Sequence, residues 1–276
     1  MSGKVTPSAR LSSNSADDPR WESGSYGLMS KPTQLDTASR VKDPMRIFVA
    51  GGAGAIGRHL VPMLIEAGHH VVGTTRSAER AGWLHDVGAT PAIVDVFEPE
   101  ALRDAVVLAR PEVVMHQLTD LAAGFAPDDL ARTAKLRTVG TRHLVDATIA
   151  SGGRRIIGQS GAWHYADGPL PYNEDHPLRT PSQGDADVPL RGFIELERLV
   201  TQTDGLEVVV LRYGFFYGPH TSWVRQTAPA PPVSVIAAAR ATVLAVDRAT
   251  PGTYNIVDDD PIVSNQRAKD LLGWTP

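Results

Sequence analysis

Glycines are the residues best spaced for chemistry in this chain. Gly51-Gly52-Ala53-Gly54-Ala55-Ile56-Gly57 directly follows the apolar run Arg46–Ala50, and counted from Gly51 it reads GxxGxxG. In a strand-to-helix turn of this kind the first glycine allows the sharp exit from the strand. The middle one lets backbone N–H groups reach a pyrophosphate, and the last lets the helix pack close to the sheet. The helix N-terminus, here Ala55, Ile56 and Gly57, then faces the phosphate charge. The alternative is a glycine-rich turn that holds no ligand. An NAD-preferring site usually places an acid roughly 20 residues further on, to bond the ribose 2′-hydroxyl. That window reads Gly73-Thr74-Thr75-Arg76-Ser77 and contains none. Arg76 can pair with a 2′-phosphate, and Thr75 and Ser77 can add hydroxyl donors. The expected cofactor is NADP(H), with NAD(H) as the second choice; a solvated surface arginine is the alternative for Arg76.

Other polar residues stand where strands should end. Asp95-Val96 follows the third strand, where a carboxylate can accept from an adenine amino group or cap the next helix. Leu118 and Thr119, after the fourth strand, are expected beside the ribose and nicotinamide. His116 there reads equally well as a packed histidine. Ser160 follows the fifth strand on the side of the sheet where ligands bind. Tyr165 lies just beyond it and is either catalytic or packed beneath a substrate loop. Tyr213 and Tyr217, on the loop after the sixth strand, are further hydroxyl candidates.

Strands and helices must alternate to position these groups. Short apolar runs mark strands at Arg46–Ala50, His70–Thr74, Pro91–Val94, Glu112–Met115, Arg155–Gly158 and Glu207–Leu211. Helical periodicity places helices near 55–67 (with a kink at Pro62), 99–109, 128–151 and 190–203. The fold class is therefore α/β, a Rossmann-type doubly wound parallel sheet with a small, reduced C-terminal substrate lobe. The domain reading is a disordered leader over 1–44, a dinucleotide-binding domain over 45–220, and the reduced lobe with the C-terminal segment over 221–276. Val233–Val246 is open between a helix and a strand followed by a helix, and Thr253–Val257 reads as a short strand.

Composition narrows the function classes. The 276 residues carry a formal net charge of −4, which gives no reason to expect a nucleic-acid partner. Cysteine is absent, so disulfides and Cys-ligated zinc are excluded, and a reducing cytosol suits the chain. No apolar run approaches the roughly 18 to 20 residues of a membrane span. The nine histidines show no metal-ligand spacing, and Asp258–Asp260 reads as a solvated acidic turn. The expected partners are a small-molecule substrate and a second copy of the chain, not nucleic acid or membrane; the expected location is cytoplasmic.

Several motifs, in this order, resemble the extended short-chain dehydrogenase/reductase superfamily, and within it the NAD-dependent epimerase/dehydratase group. They are Gly51–Gly57, Asp95-Val96, Gly140-Thr141, Gln159-Ser160, Leu211–Pro219, Tyr254-Asn255 and Leu272–Pro276. The resemblance implies hydride chemistry at nicotinamide C4, with a Ser and a Tyr-x-x-x-Lys pair. Ser160 matches the Ser. No Tyr-x-x-x-Lys occurs in the sequence; aligning the helical Glu on Glu197 puts Pro189 and Phe193 at those positions, and Arg137 where an Asn is usual. Ser160 and Tyr165 are therefore the expected catalytic residues, with Arg212 or His164 as assisting groups. A cofactor-binding redox sensor without catalysis is the alternative function, and a vestigial scaffold a third. The resemblance also implies a homodimer through helices 128–151 and 190–203, although core packing explains their apolar residues equally well.

Overall fold

Short apolar runs covered on both faces become strands of one sheet. The computed structural model describes residues 43–120, 126–184, 187–223 and 229–276. The first half runs β1 (Arg46–Ala50), α1 (Gly57–Glu66), β2 (His70–Thr75), α2 (Ala78–Asp86), β3 (Thr90–Ile93), α3 (Pro99–Ala109), β4 (Val113–His116), α4 (Pro127–Lys135) and α5 (Thr141–Ala150). The second runs β5 (Arg155–Gly161), α6 (Val188–Thr201), β6 (Glu207–Tyr213), β7 (Phe215–Tyr217), β8 (Pro232–Ser234), α7 (Val235–Arg248), β9 (Gly252–Ile256) and α8 (Gln266–Leu272).

Seven strands form one parallel sheet in the order β3-β2-β1-β4-β5-β6-β9, while β7 and β8 make a separate parallel pair. This is the expected doubly wound sheet. Its strand order reverses between β1 and β4, which opens a crevice at their carboxyl ends. One apolar core fills the face toward α1 and α7, around Val49, Leu60, Met115, Leu211 and Ala241. The other fills the opposite face, around Phe48, Leu102, Val114, Leu144 and Ile156.

The differences from expectation have local causes. The helix expected over 128–151 is two helices joined by a π-helical turn, Leu136–Gly140. Gly140 lies in that turn because a Cβ there would come 3.1 Å from Val96. Helix α1 runs on through Pro62 without ending. Helix α2 was not expected; Ser77 starts it, its Oγ accepting from Arg80 N at 3.3 Å. Strands β5 and β6 extend past Gly158 and Leu211 because polar partners meet their polar ends. Residues 229–276 return to the sheet. Strand β9 pairs with β6, α7 packs beside α1, and buried Trp274 donates its indole N–H to Ala237 O at 2.9 Å. Helix α6 turns Leu190, Phe193, Leu196, Leu199 and Val200 into the chain's own interior. The expected leader lies outside the described residues except for Asp43 and Pro44. Among the described residues no helix is long and apolar enough to cross a membrane.

Gly57 shows how tightly the first turn is drawn. A Cβ there would lie 2.6 Å from Gly51 O. Gly57→Ala is expected to destabilise the protein by about 1–3 kcal/mol through overpacking, read as a lower denaturation midpoint in urea.

Candidate active site

The glycine turn and the ends of β2, β3 and β4 border an open cleft of about 110 Å³. Of the residues assigned to the cofactor from sequence, Gly51, Gly54, Thr75, Arg76, Asp95, Val96, Leu118 and Thr119 line it. Gly51 has φ +90°, and its N–H donates to Thr74 Oγ1 at 2.9 Å. A Cβ at Gly51 would collide with Gln117 O at 2.6 Å, but at Gly54 the nearest atom is Gly51 O at 3.2 Å. Packing thus requires glycine at Gly51 and Gly57 more than at Gly54, which borders the cleft. Among the described residues, the N–H groups of Ala55 and Ile56 donate to no protein acceptor. They stand at the start of α1, as orphan helix donors do.

Ala55, Ile56, Gly57 and Ser77 do not line the cleft wall. Ile56 is buried, and Ser77 Oγ accepts from Arg80 N at the start of α2, which leaves its O–H free to donate. Thr75 Oγ1 accepts from Ser77 N at 3.2 Å. Arg76, with a side chain 58% exposed, lies 4.0 Å from Asp95 and 3.7 Å from Asp120. Asp95 Oδ1 accepts from Phe97 N at 2.9 Å, closing its own turn. Arg80, Phe97, Gln117 and Leu136 also border the cleft. Sequence reasoning passed over Arg80 because it missed α2, whose first turn brings Arg80 beside Arg76.

Ser160 and Tyr165 lie further along the same edge of the sheet, joined by a buried network. Ser160 Oγ donates to Glu197 Oε1 at 2.6 Å. Arg212 grips the same carboxylate twice, at 2.9 and 2.7 Å, and donates to Tyr165 Oη at 3.1 Å. Tyr165 donates to Asn255 Oδ1 at 2.6 Å, while its ring packs with Ala162, Val257 and Val263. Burial raises the Tyr165 pKa, against the opposing charge and hydrogen bond of Arg212. Burial alone would lower Arg212, but its hydrogen bonds and charge contact with Glu197 leave it raised.

The other hydroxyl candidates stand apart from this network. Tyr213 Oη pairs with Thr242 at 2.7 Å and accepts from Gln117 at 3.2 Å; burial pushes it up to about 12. Tyr217 donates to Asp258 at 2.9 Å and is also pushed up to about 12, by desolvation and by that carboxylate. The Asp258–Asp260 run is likewise engaged: Asp259 with Lys269, Asp260 with the backbone of Ile262. Among the described residues no group of three His, Cys, Asp or Glu is placed to hold a metal ion.

Between the cleft and this network lie His116, Arg137, His164 and Phe193. His116 is fully buried, its Nε2 is 2.8 Å from Thr141 Oγ1, and burial lowers its pKa to about 4. Burial, followed by the charge of Arg137, lowers His164 to about 3. Phe193 lies under the Arg137 guanidinium, whose carbon is 3.5 Å from the ring centroid. Pro189 sits in the first turn of α6.

Both histidines are neutral in the folded protein but titrate near 6.5 once unfolded. The unfolded chain therefore binds more protons below that pH, so stability falls as pH drops from about 6.5 toward 4 and is flat above. Each contributes a slope of about 1.4 kcal/mol per pH unit. Urea denaturation is expected to show a loss of about 2–4 kcal/mol between pH 7 and pH 5, roughly halved in His164→Asn. Equal stability at the two pH values would show that the rings are charged or paired when folded.

Residues 47–255 match the model of the NAD dependent epimerase/dehydratase family. The chain is 40% identical over 247 residues to a 3-diazoavenalumate denitrifying reductase from a Streptomyces species, covering 80% of this chain and 79% of that protein. Among solved structures, it resembles a UDP-glucose 4-epimerase from Thermotoga maritima with UDP-glucose. There the TM-score is 0.67 at 22% identity, over 84% of this chain and 94% of that one. It also resembles a short-chain dehydrogenase/reductase superfamily protein from Agrobacterium tumefaciens with bound NAD. That match has a TM-score of 0.66 at 21% identity, over 83% and 92% of the two chains. The glycine turn, the strand order and these matches agree: the chain belongs to the NAD dependent epimerase/dehydratase family of the extended short-chain dehydrogenase/reductase superfamily, and is an NAD(P)-dependent enzyme of oxidoreductase or epimerase type.

Proposed function

We propose that the chain is an NADP(H)-dependent reductase of a small organic substrate, and that Ser160 and Tyr165 are its catalytic hydroxyls. One observation carries the cofactor reading: Gly51 and Gly54 of the glycine turn line the same cleft as two guanidiniums, Arg76 and Arg80, and the next amides of the turn, Ala55 and Ile56, donate to no protein acceptor. The amides of Ala55, Ile56 and Gly57 are assigned to the diphosphate, with Gly51 shaping the turn and Gly54, whose N–H donates to Gly51 O, giving the phosphates room. Thr75, Arg76 and Ser77 are assigned to the ribose end, where a 2′-phosphate would draw Arg76 from two carboxylates at 3.7 and 4.0 Å. Exposed ion pairs of that length are weak competitors. Asp95 and Val96 are assigned to the adenine, Leu118 and Thr119 to the nicotinamide half. When bound, the dinucleotide supplies a hydride from nicotinamide C4.

The reductive direction rests on the extensive likeness to a reductase, which also favours an enzyme over a cofactor sensor. The likeness to the sugar-nucleotide epimerase concerns the fold alone. In this reading Ser160 steadies the substrate oxygen and Tyr165 delivers the proton. Arg212, donating to the Tyr165 oxygen, supplies the cation that a lysine would otherwise bring.

Calorimetry with NADPH and NADH tests the cofactor assignment. NADPH is expected to bind more tightly, and Arg76→Ala to erase about tenfold of that preference. Gly54→Val is expected to weaken both cofactors while leaving the fold intact. Tighter NADH binding would overturn the NADP(H) assignment, and no binding of either would overturn the whole reading. For the hydroxyls, Ser160→Ala and Tyr165→Phe are each expected to slow NADPH consumption about 100-fold or more without changing cofactor affinity. Unchanged turnover would remove that residue from the chemistry.

A further inference from the structure

Three arginines lie within electrostatic reach of His164: Arg137, Arg179 and Arg212. Two of them hold carboxylates. Arg212 grips Glu197 at 2.7 Å, and Arg179 grips Asp187 at 2.6 Å. Arg137 is 5% exposed, yet among the described residues it makes no hydrogen bond or ion pair. Its recorded contacts are the Phe193 ring and close packing against Gly192, where a Cβ would come 3.4 Å from Arg137 Cδ. Burying an unpaired charge is costly, so a missing counter-charge points to a ligand.

The surroundings define that ligand. The charge of Arg137 is felt at His116, which ends β4, and at His164, just past β5. The guanidinium therefore lies at the carboxyl edge of the sheet, beside the proposed reaction centre. Neither neutral imidazole can balance it. His164 Nε2 is itself buried without a partner. The side chains around it are aromatic: Phe193 lies 5.2 Å from the His164 ring and 5.4 Å from Trp163, and Trp163 stacks on Phe215 at 4.1 Å. The π-helical turn that carries Arg137 is a backbone form frequent at functional sites.

We propose that Arg137 receives the carboxylate of an aromatic or conjugated acid substrate, with His164 Nε2 as a second polar contact and the half-buried Trp163 ring against the substrate's planar part. This deepens the function proposed above and rests on its placing the substrate at this edge. A planar guanidinium suits a carboxylate bidentately, and a flat apolar wall suits a conjugated ring.

The test uses the full chain saturated with NADP⁺, with trans-cinnamate and its neutral amide, cinnamamide, as probes in calorimetry. The acid is expected to bind at least about tenfold more tightly than the amide. Arg137→Gln is expected to abolish that preference, and Arg137→Lys to restore part of it. Arg137→Gln is also expected to keep or raise the thermal midpoint, because an unbalanced buried charge is removed. The proposal is overturned if acid and amide bind alike, if neither binds at millimolar concentration, or if the preference survives in Arg137→Gln. It also falls if Arg137→Gln is less stable than the parent, which would reveal a structural counter-charge. Loss of NADP⁺ affinity in Arg137→Gln with acid binding unchanged would assign the guanidinium to a cofactor phosphate instead. Failure of the parent to bind NADP⁺ would count against the proposed function, and is distinct from cofactor binding without discrimination between the probes.

Discussion

The carboxylate of Glu197 is the point on which the structure around the ends of β5 and β6 turns. It reaches from α6 to the ends of two neighbouring strands, taking the Ser160 hydroxyl from β5 and both arms of the Arg212 guanidinium from β6. Arg212 passes the connection to Tyr165, and Tyr165 passes it to Asn255 on β9. The Asn255 N–H in turn donates to Glu174 at 2.7 Å. One buried ion pair thus fixes the excursion between β5 and α6 against the last strand of the sheet. Such pairs contribute little net stability, but losing one partner leaves a charge stranded and costs several kcal/mol. Glu197 therefore acts mainly to specify one arrangement of the site.

Along the same edge of the sheet, at the end of β1, the backbone does the same work. Gly51 and Gly57 are held by the closeness of main-chain oxygens, and Gly73 by Leu84 of α2, 2.7 Å from where its Cβ would be. Gly54 alone in the turn lies against the cleft more than against protein. Closing the turn this tightly leaves the first amides of α1 without protein acceptors, as the proposed diphosphate site requires.

The fold was legible where a local rule decided it. The strands were apolar runs and α3 opened on Pro99, whereas α8 and the buried indole of Trp274 beyond it were not read. Helix α2 was not legible, because Gly82 interrupts it and only Ala81 and Leu84 are buried along it. The polar ends of β5 and β6 were read as loop because their partners, Glu197 and Asn255, arrive from distant parts of the chain. The cleft was legible for the same reason as the strands: turn, strand end and ligand edge are neighbours in sequence. What Arg137 lacks could not be read, since a missing partner is a property of the whole neighbourhood. Its replacement of the usual Asn was visible; its isolation beside Phe193 was not.

The identity of that isolated cation has its own logic. Burial lowers Arg137 from 12.5 to about 9, so it stays charged at neutral pH. A lysine begins lower, near 10.4, and is the more readily discharged by burial. A guanidinium is also more weakly hydrated than an ammonium and lies flat on an aromatic face, which eases its transfer to an apolar wall. Once position 193 is a phenylalanine, a permanent positive charge at this edge of the sheet therefore calls for arginine on a facing element. Arg137, carried on the π-helical turn and pressed against Gly192 and Phe193, meets that requirement.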